Sequence, residues 1–268
     1  MATVADSGQD RKVSGGRVFE RAFAAIRHNP GPTIGLAFLF GALPGLLVSI
    51  LMEQLRPQMM AASLEQGSMM ALYAITLLSA LLGLVISALT QAALTRATVA
   101  EGEGRRAGFG ESLRAGMAVL LPLIVLSILL AIAVMVGFVF LIVPGVILYC
   151  MWSVAVPALV EERRGIFGSF GRSRDLTRGA RWKVFGILLV LAVVYWLISA
   201  AVGIFAMTNV DFSNPEAGLD LPLSFYVANV LVGTLINLLW ATVQASLYVE
   251  LRNWKDGPGT ENLEQIFA

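Results

Sequence analysis

Five stretches of this chain carry no Asp, Glu, Lys, Arg or His, and each is long enough to cross a lipid bilayer. They are residues 29–52, 66–95, 115–160, 184–210 and 221–249. A bilayer core about 30 Å thick needs about 20 apolar residues in a helix. Four of the stretches fit one crossing each. The third has 46 residues, about 69 Å of helix at 1.5 Å per residue, which is two crossings and a tight turn. Residues 137–145 lie near its middle, and Pro144 suits the first turn of a new helix, where its missing N–H is not needed. The expectation is an all-α polytopic membrane protein with six transmembrane helices.

Composition agrees. The chain is 57% hydrophobic and only 14% charged, against about 25% charged in an ordinary soluble domain. That leaves too little charge to cover a large aqueous surface, and disorder is excluded for the same reason. One cysteine and one histidine supply neither a disulfide framework nor a Cys/His metal site. No cofactor is expected. The net charge of +1 gives no global attraction to nucleic acid.

Charge placement fixes the threading. Eighteen of the 19 Lys and Arg residues lie in the amino-terminal region, between spans two and three, between spans four and five, or after span six. The opposite side holds Arg56 with Glu53, Glu65, Asp211, Glu216 and Asp220. The positive-inside rule then puts both termini in the cytoplasm. An odd number of crossings in residues 115–160 would separate two basic loops, so parity supports the pair. The first 28 residues lack the apolar run of a signal peptide. Residues 1–15 read as a disordered tail, 16–255 as one membrane domain and 256–268 as a second tail.

Two segments read as amphipathic helices lying on the cytoplasmic face. In the first, Val18, Phe19, Ala22, Phe23 and Ile26 recur at helical spacing among charged residues. In the second, residues 166–177, Ile166, Phe167, Phe170 and Leu176 are interleaved with Arg172, Arg174 and Asp175. The two resemble each other. Phe19–Arg21–Arg27 and Phe170–Arg172–Arg178 share spacing, and Gln91-Ala-Ala-Leu94 in span two parallels Gln244-Ala-Ser-Leu247 in span six. The pattern is that of a parallel repeat, residues 16–100 and 165–252, with spans three and four inserted.

Candidate functional residues are few. Gln91, Asn237 and Gln244 are amides inside spans, and Asn237 and Gln244 share a helix face. They line a polar cleft, or they hydrogen-bond neighbouring helices at about 0.6–2 kcal/mol each. The loop from Glu161 to Lys183 carries seven cations and three acids. Arg172, Arg174, Arg178 and Arg181 are its candidates for lipid headgroup phosphates, because guanidinium forks match phosphate oxygens. Gly41 and Gly45 form a small-residue motif for close helix approach, and Pro44, Pro122 and Pro157 are candidate kinks. No Walker loop, nucleophile elbow, HExxH or intramembrane aspartate pair is present.

Pro157, Glu161, Phe170, the Arg172-Ser173 pair, Leu176, Gly179 and Trp182 form a pattern that resembles the membrane domain of glycerophosphoryl diester phosphodiesterases and the related YciC-like family of bacterial membrane proteins. The Pro144-Gly145 turn and the basic helix leading to Asn29-Pro30 are similar too, so the resemblance covers residues 16–255. It implies a multi-pass protein of a bacterial cytoplasmic membrane. The phosphodiesterase activity does not carry over, because the catalytic barrel is absent and His28 is followed by Asn29, not by the Arg-Gly of that barrel. The expected function is therefore non-enzymatic: binding or organising anionic membrane lipids, or supporting a membrane partner or a second copy. A small-solute transporter or channel is the alternative.

Overall fold

A computed structural model describes residues 13–63, 69–207 and 223–257. Every regular element among them is helical: α1 (Gly15–His28), α2 (Pro30–Ala37), α3 (Leu43–Ser63), α4 (Met69–Gly102), α5 (Phe109–Ala118), α6 (Leu120–Phe140), α7 (Ile142–Trp152), α8 (Ala155–Glu162), α9 (Gly165–Thr177), α10 (Arg181–Met207) and α11 (Leu223–Asp256). Six helical stretches are long and apolar enough to cross a membrane: α2 with the start of α3, α4, α6, α7 with α8, α10 and α11. The chain is thus a multi-pass membrane protein.

Three prolines start helices rather than kink them. Pro122, Pro144 and Pro157 are each the third residue of their helix, α6, α7 and α8, where an orphan N–H would be left anyway. The breaks fall just before, at Val119 (φ −112°, ψ 7°), at extended Leu141 and at Val154 (φ −110°, ψ 18°). Two of these breaks create α5 and α8, short helices absent from the sequence expectation. Pro44 acts differently. It follows a π-helical turn, Phe38–Ala42, whose exit is the Leu43 N–H donating to Phe38 O. Such turns widen a helix by one residue and are frequent at functional sites.

Both expected amphipathic helices form. α1 buries Val18, Ala22 and Ala25 and leaves Phe23 exposed. It packs on the last turns of α11, so the amino-terminal helix and the end of α11 share one end of the bundle. Order begins by Val13, which is buried, and Ser14, whose N–H donates to Glu250 Oε1 at 3.2 Å. Most of the two expected tails, and the acidic residues at positions 65, 211, 216 and 220, lie outside the described residues.

The core is lopsided. All three buried apolar clusters sit in the half of the bundle that carries the basic loops. One joins α1, α7, α10 and α11 around Tyr248 and Leu251. The second joins α4, α6 and α8, and the third α2, α4 and α11. Beyond them, no described residue of α3, of α10 after Leu191, of α11 before Leu238 or of α4 before Ala88 is buried. Gly41 and Gly45 meet α11: a Cβ on them would lie 3.3 Å from Thr234 and 3.1 Å from Val230. That close approach is packing within one chain.

The proposed repeat has one mark in its favour. Gln91 Nε2 donates to Gln244 Oε1 at 3.0 Å, and two equivalent residues meet in this way at a twofold axis along the membrane normal. The rest of the arrangement departs from symmetry. α1 packs on α4 and α11, whereas α9 packs on α6, α7, α8 and α11, because the inserted helices take the place a symmetric neighbour would occupy.

Candidate functional site

Two regions hold the polar side chains. The first is a cleft of about 560 Å³ between α3 with its π-helical turn, α4 and α11, within the range of small-ligand sites. Helical spacing on α4 supplies one wall, with Ser79, Gly83, Ser87, Thr90 and Gln91 in a stripe; Phe40, Asn237 and Trp240 face it. Most hydroxyls here are already satisfied by their own helix. Ser49 bonds Gly45 O, Thr90 bonds Ile86 O and Ser79 bonds Thr76 O. Asn237 is exposed and donates Nδ2 to Gly233 O, which leaves Oδ1 able to accept. Gln91 and Gln244 hydrogen-bond to each other. Of the three expected cleft amides, two line the cleft, and the third, Gln244, is buried behind Gln91 as its partner.

The second region is an ionic layer across the basic end. Glu250 of α11 is buried and holds the Arg17 Nε (2.9 Å) and Arg21 (3.4 Å) guanidiniums of α1. Arg96 of α4 bridges Glu111 of α5 (2.9 Å) and Glu161 of α8 (2.8 Å). Arg252 pairs with Glu103 at 2.7 Å and lies over the Tyr248 ring. Glu162 accepts from Arg172 (2.7 Å) and from Tyr248 (2.9 Å), and it pairs with Arg164 at 2.8 Å. Arg172 also pairs with Asp256 at the end of α11. His28 meets Glu101 at 3.0 Å, and Asn29 donates to Ala107 O, which ties the start of span one to the end of α4. The pairs of Glu162 with Arg164 and Arg172 and of Arg96 with Glu111 are local, and the other links join helices far apart in sequence.

The four expected headgroup arginines therefore divide. Arg172 is a strut, mostly buried and held by two carboxylates. Arg174, Arg178 and Arg181 are exposed and have no carboxylate partner among the described residues. They stand with exposed Lys183 around the elbow between α9 and α10, beside Trp182, 86% exposed; Phe167, also exposed, lies at the other end of α9. Amphipathic residues in such places anchor a protein at the membrane–water boundary. Sequence reasoning missed Glu250, Glu162 and Tyr248 as members of the layer. The available signal was their position, acids set directly against apolar residues at the ends of spans.

Among the described residues no cluster of His, Cys, Asp or Glu could hold a metal ion. The sequence matches the Uncharacterised protein family (UPF0259) over residues 56–244, more than half of the chain. The chain belongs to that family. The match gives UPF0259 no named activity, and it lends no support to the narrower resemblance to the phosphodiesterase membrane domain. No solved structure matches the chain. In this UPF0259 protein the matched region spans α4 to α10 and reaches Gln244. It leaves out α1 and Glu250.

The ionic layer makes one pH prediction. Burial opposes charge on Glu103, but Arg252 and Arg105 outweigh it and hold the carboxyl below its usual range. A carboxyl depressed in the folded state contributes stability that is fully present above its unfolded pKa of about 4.3. That contribution is lost as pH falls through the folded value. In detergent, the unfolding temperature is expected to drop below about pH 4, and more shallowly in Glu103→Gln. Equal slopes for the two proteins would remove Glu103 from the acid response.

Proposed function

We propose that this is a non-enzymatic protein of a bacterial cytoplasmic membrane, with its basic end in the cytoplasm, that gathers anionic lipids at the α9–α10 elbow. One observation carries the reading. In an ionic layer where so many guanidiniums are committed to carboxylates, Arg174, Arg178 and Arg181 stand exposed and without a carboxylate partner among the described residues, beside exposed Trp182. A phosphate headgroup supplies the missing acceptors.

Each cation near an anionic leaflet contributes about 1 kcal/mol, so loss of three weakens anionic-lipid binding about a hundredfold. Native mass spectrometry from mild detergent checks this. The wild type is expected to retain acidic lipid, and Arg174→Ala/Arg178→Ala/Arg181→Ala to lose it. Equal retention by both would sink the reading. Arg172→Ala is unsuited to this test because it also breaks the strut to Glu162 and Asp256.

The alternative, a small-solute transporter or channel, draws on the cleft and the free acceptor of Asn237. The self-bonded hydroxyls and the Gln91–Gln244 pair at its basic end count against a continuous wet path.

A further inference from the structure

We propose that the cleft between α3, α4 and α11 holds an uncharged lipid alcohol, one hydrocarbon chain ending in a hydroxyl, which reaches it sideways from the bilayer and donates a hydrogen bond to Asn237. The proposal rests on the chain being a membrane protein and is independent of the headgroup reading.

The cleft lies deep. α4 and α11 run in the same direction, because Gln91 meets Gln244 and, nearer the basic end, Glu103 meets Arg252. The amide pair sets a register in which Ser87 is level with Trp240 and Gly83 is close to the level of Asn237. Asn237 lies 13 residues before Glu250, about 20 Å along α11. Ser87 lies nine residues before Arg96, about 14 Å along α4. In a hydrocarbon core about 30 Å thick, both stand well inside the ionic layer of the basic end. No described residue lining the cleft is charged. A charged head group at this depth would lack a counter-charge, and that is costly in hydrocarbon. The lining suits an uncharged occupant.

The polar atoms of the lining are mostly acceptors. Ser49, Ser79 and Thr90 each donate their hydroxyl hydrogen to a carbonyl of their own helix, which leaves them oxygen lone pairs to offer. Gln91 gives one Nε2 hydrogen to Gln244, and Asn237 gives one Nδ2 hydrogen to Gly233 O. The side-chain oxygens of Gln91 and Asn237 have no partner among the described residues. Asn237 is the decisive group. It is exposed, and an amide oxygen left facing hydrocarbon without a donor is costly. A hydroxyl is an uncharged donor that meets this need beside a hydrocarbon chain.

The mouth of the cleft faces lipid. Leu82, Gly83 and Ser87 on α4 and Asn237 on α11 line it and are exposed, whereas Leu94 and Ala241 are buried and close its basic end. Leu78, Leu81, Leu231 and Leu235 on the same stretches are exposed and apolar. Gly83 keeps a window open at the level of Asn237, since a Cβ there would meet nothing within 4 Å. From Ser79 to Leu94 the cleft follows α4 for about 22 Å, and a volume of about 560 Å³ over that length takes a single chain. Val48, Leu82 and Val230 give that chain apolar walls on the far side of the amide.

A hexadecanol with a diazirine in its chain tests this in nanodiscs, with the adducts mapped by peptide mass spectrometry after irradiation. In the wild type, labelling is expected to saturate and to map to the cleft lining of α3, α4 and α11. Unlabelled hexadecanol is expected to displace the probe, and hexadecane or palmitate is not. Asn237→Leu, which removes the acceptor, is expected to weaken binding about tenfold, the scale of one lost hydrogen bond between apolar surroundings. Gly83→Leu, which fills the window, is expected to abolish saturable labelling. Both replace exposed residues, so both are expected to unfold near the wild-type temperature. Asn229→Leu, exposed on α11 outside the cleft, and Arg174→Ala/Arg178→Ala/Arg181→Ala are expected to label like the wild type, which separates this site from the headgroup reading. Displacement by hexadecane as strong as by hexadecanol would overturn the proposal, since the cleft would then be an apolar groove that ignores the hydroxyl. Equal displacement by palmitate would overturn the preference for an uncharged end. Labelling that does not saturate, or that survives Gly83→Leu, would overturn the site itself, because the probe would then report the general lipid-facing surface.

Discussion

Gly137→Ala is expected to destabilise the bundle by about 2–3 kcal/mol although it adds a single methyl group. A Cβ at Gly137 would lie 2.9 Å from the Gly145 Cα, which is backbone and cannot swing aside. Across the hairpin, a Cβ at Gly145 would lie 2.6 Å from the Phe138 ring. The two glycines let α6 and α7 touch directly beside a one-residue turn, so overpacking there must move a whole helix. Thermal unfolding in detergent, followed by tryptophan fluorescence, measures the loss. Gly83→Ala is the control. Nothing lies within 4 Å of a Cβ on Gly83, and alanine favours helix by about 1 kcal/mol over glycine. That variant is expected to hold or gain stability. If both variants behave alike, the hairpin contact does not hold the fold.

Arg17→Leu/Arg21→Leu is expected to cost about 3–5 kcal/mol, the range for stranding a buried charge. Glu250→Leu is expected to cost clearly less. The asymmetry follows from exposure. Glu250 has a side chain only 6% exposed, whereas Arg17 is 46% exposed. Removing the arginines leaves a carboxylate buried against α1, with the Ser14 backbone N–H still donating to it. Removing Glu250 leaves guanidiniums that turn to water. The triple variant, apolar at all three positions, is expected to recover much of the loss. Unfolding temperature and hydrogen exchange over α1 report the order. If Glu250→Leu proves the most damaging of the three, α1 is held by attraction to the carboxylate rather than by the cost of uncovering it.

The two expectations that depended on helix faces show where sequence reading stops. Arg172 and Arg174 are indistinguishable as letters, yet two residues are about 200° apart on a helix. One therefore meets Glu162 and Asp256 while the other meets solvent. Gln91 and Gln244 stood out as amides in apolar spans, but only the packing of α4 on α11 makes them partners. Glu250 marked the edge of a charge-free stretch and so read as a boundary. α1, 233 positions away in the Arg17 pair, covers it and makes it interior.

The sequence by itself determined the class. Charge-free stretches of bilayer length, an uneven distribution of cations and helical periodicity in two basic segments are one-dimensional properties. They required spanning helices, an even number of passages and two amphipathic helices. Tertiary structure decided what depends on distance between remote residues: which carboxylate neutralises which guanidinium, which arginines remain free for a ligand, and where the core sits.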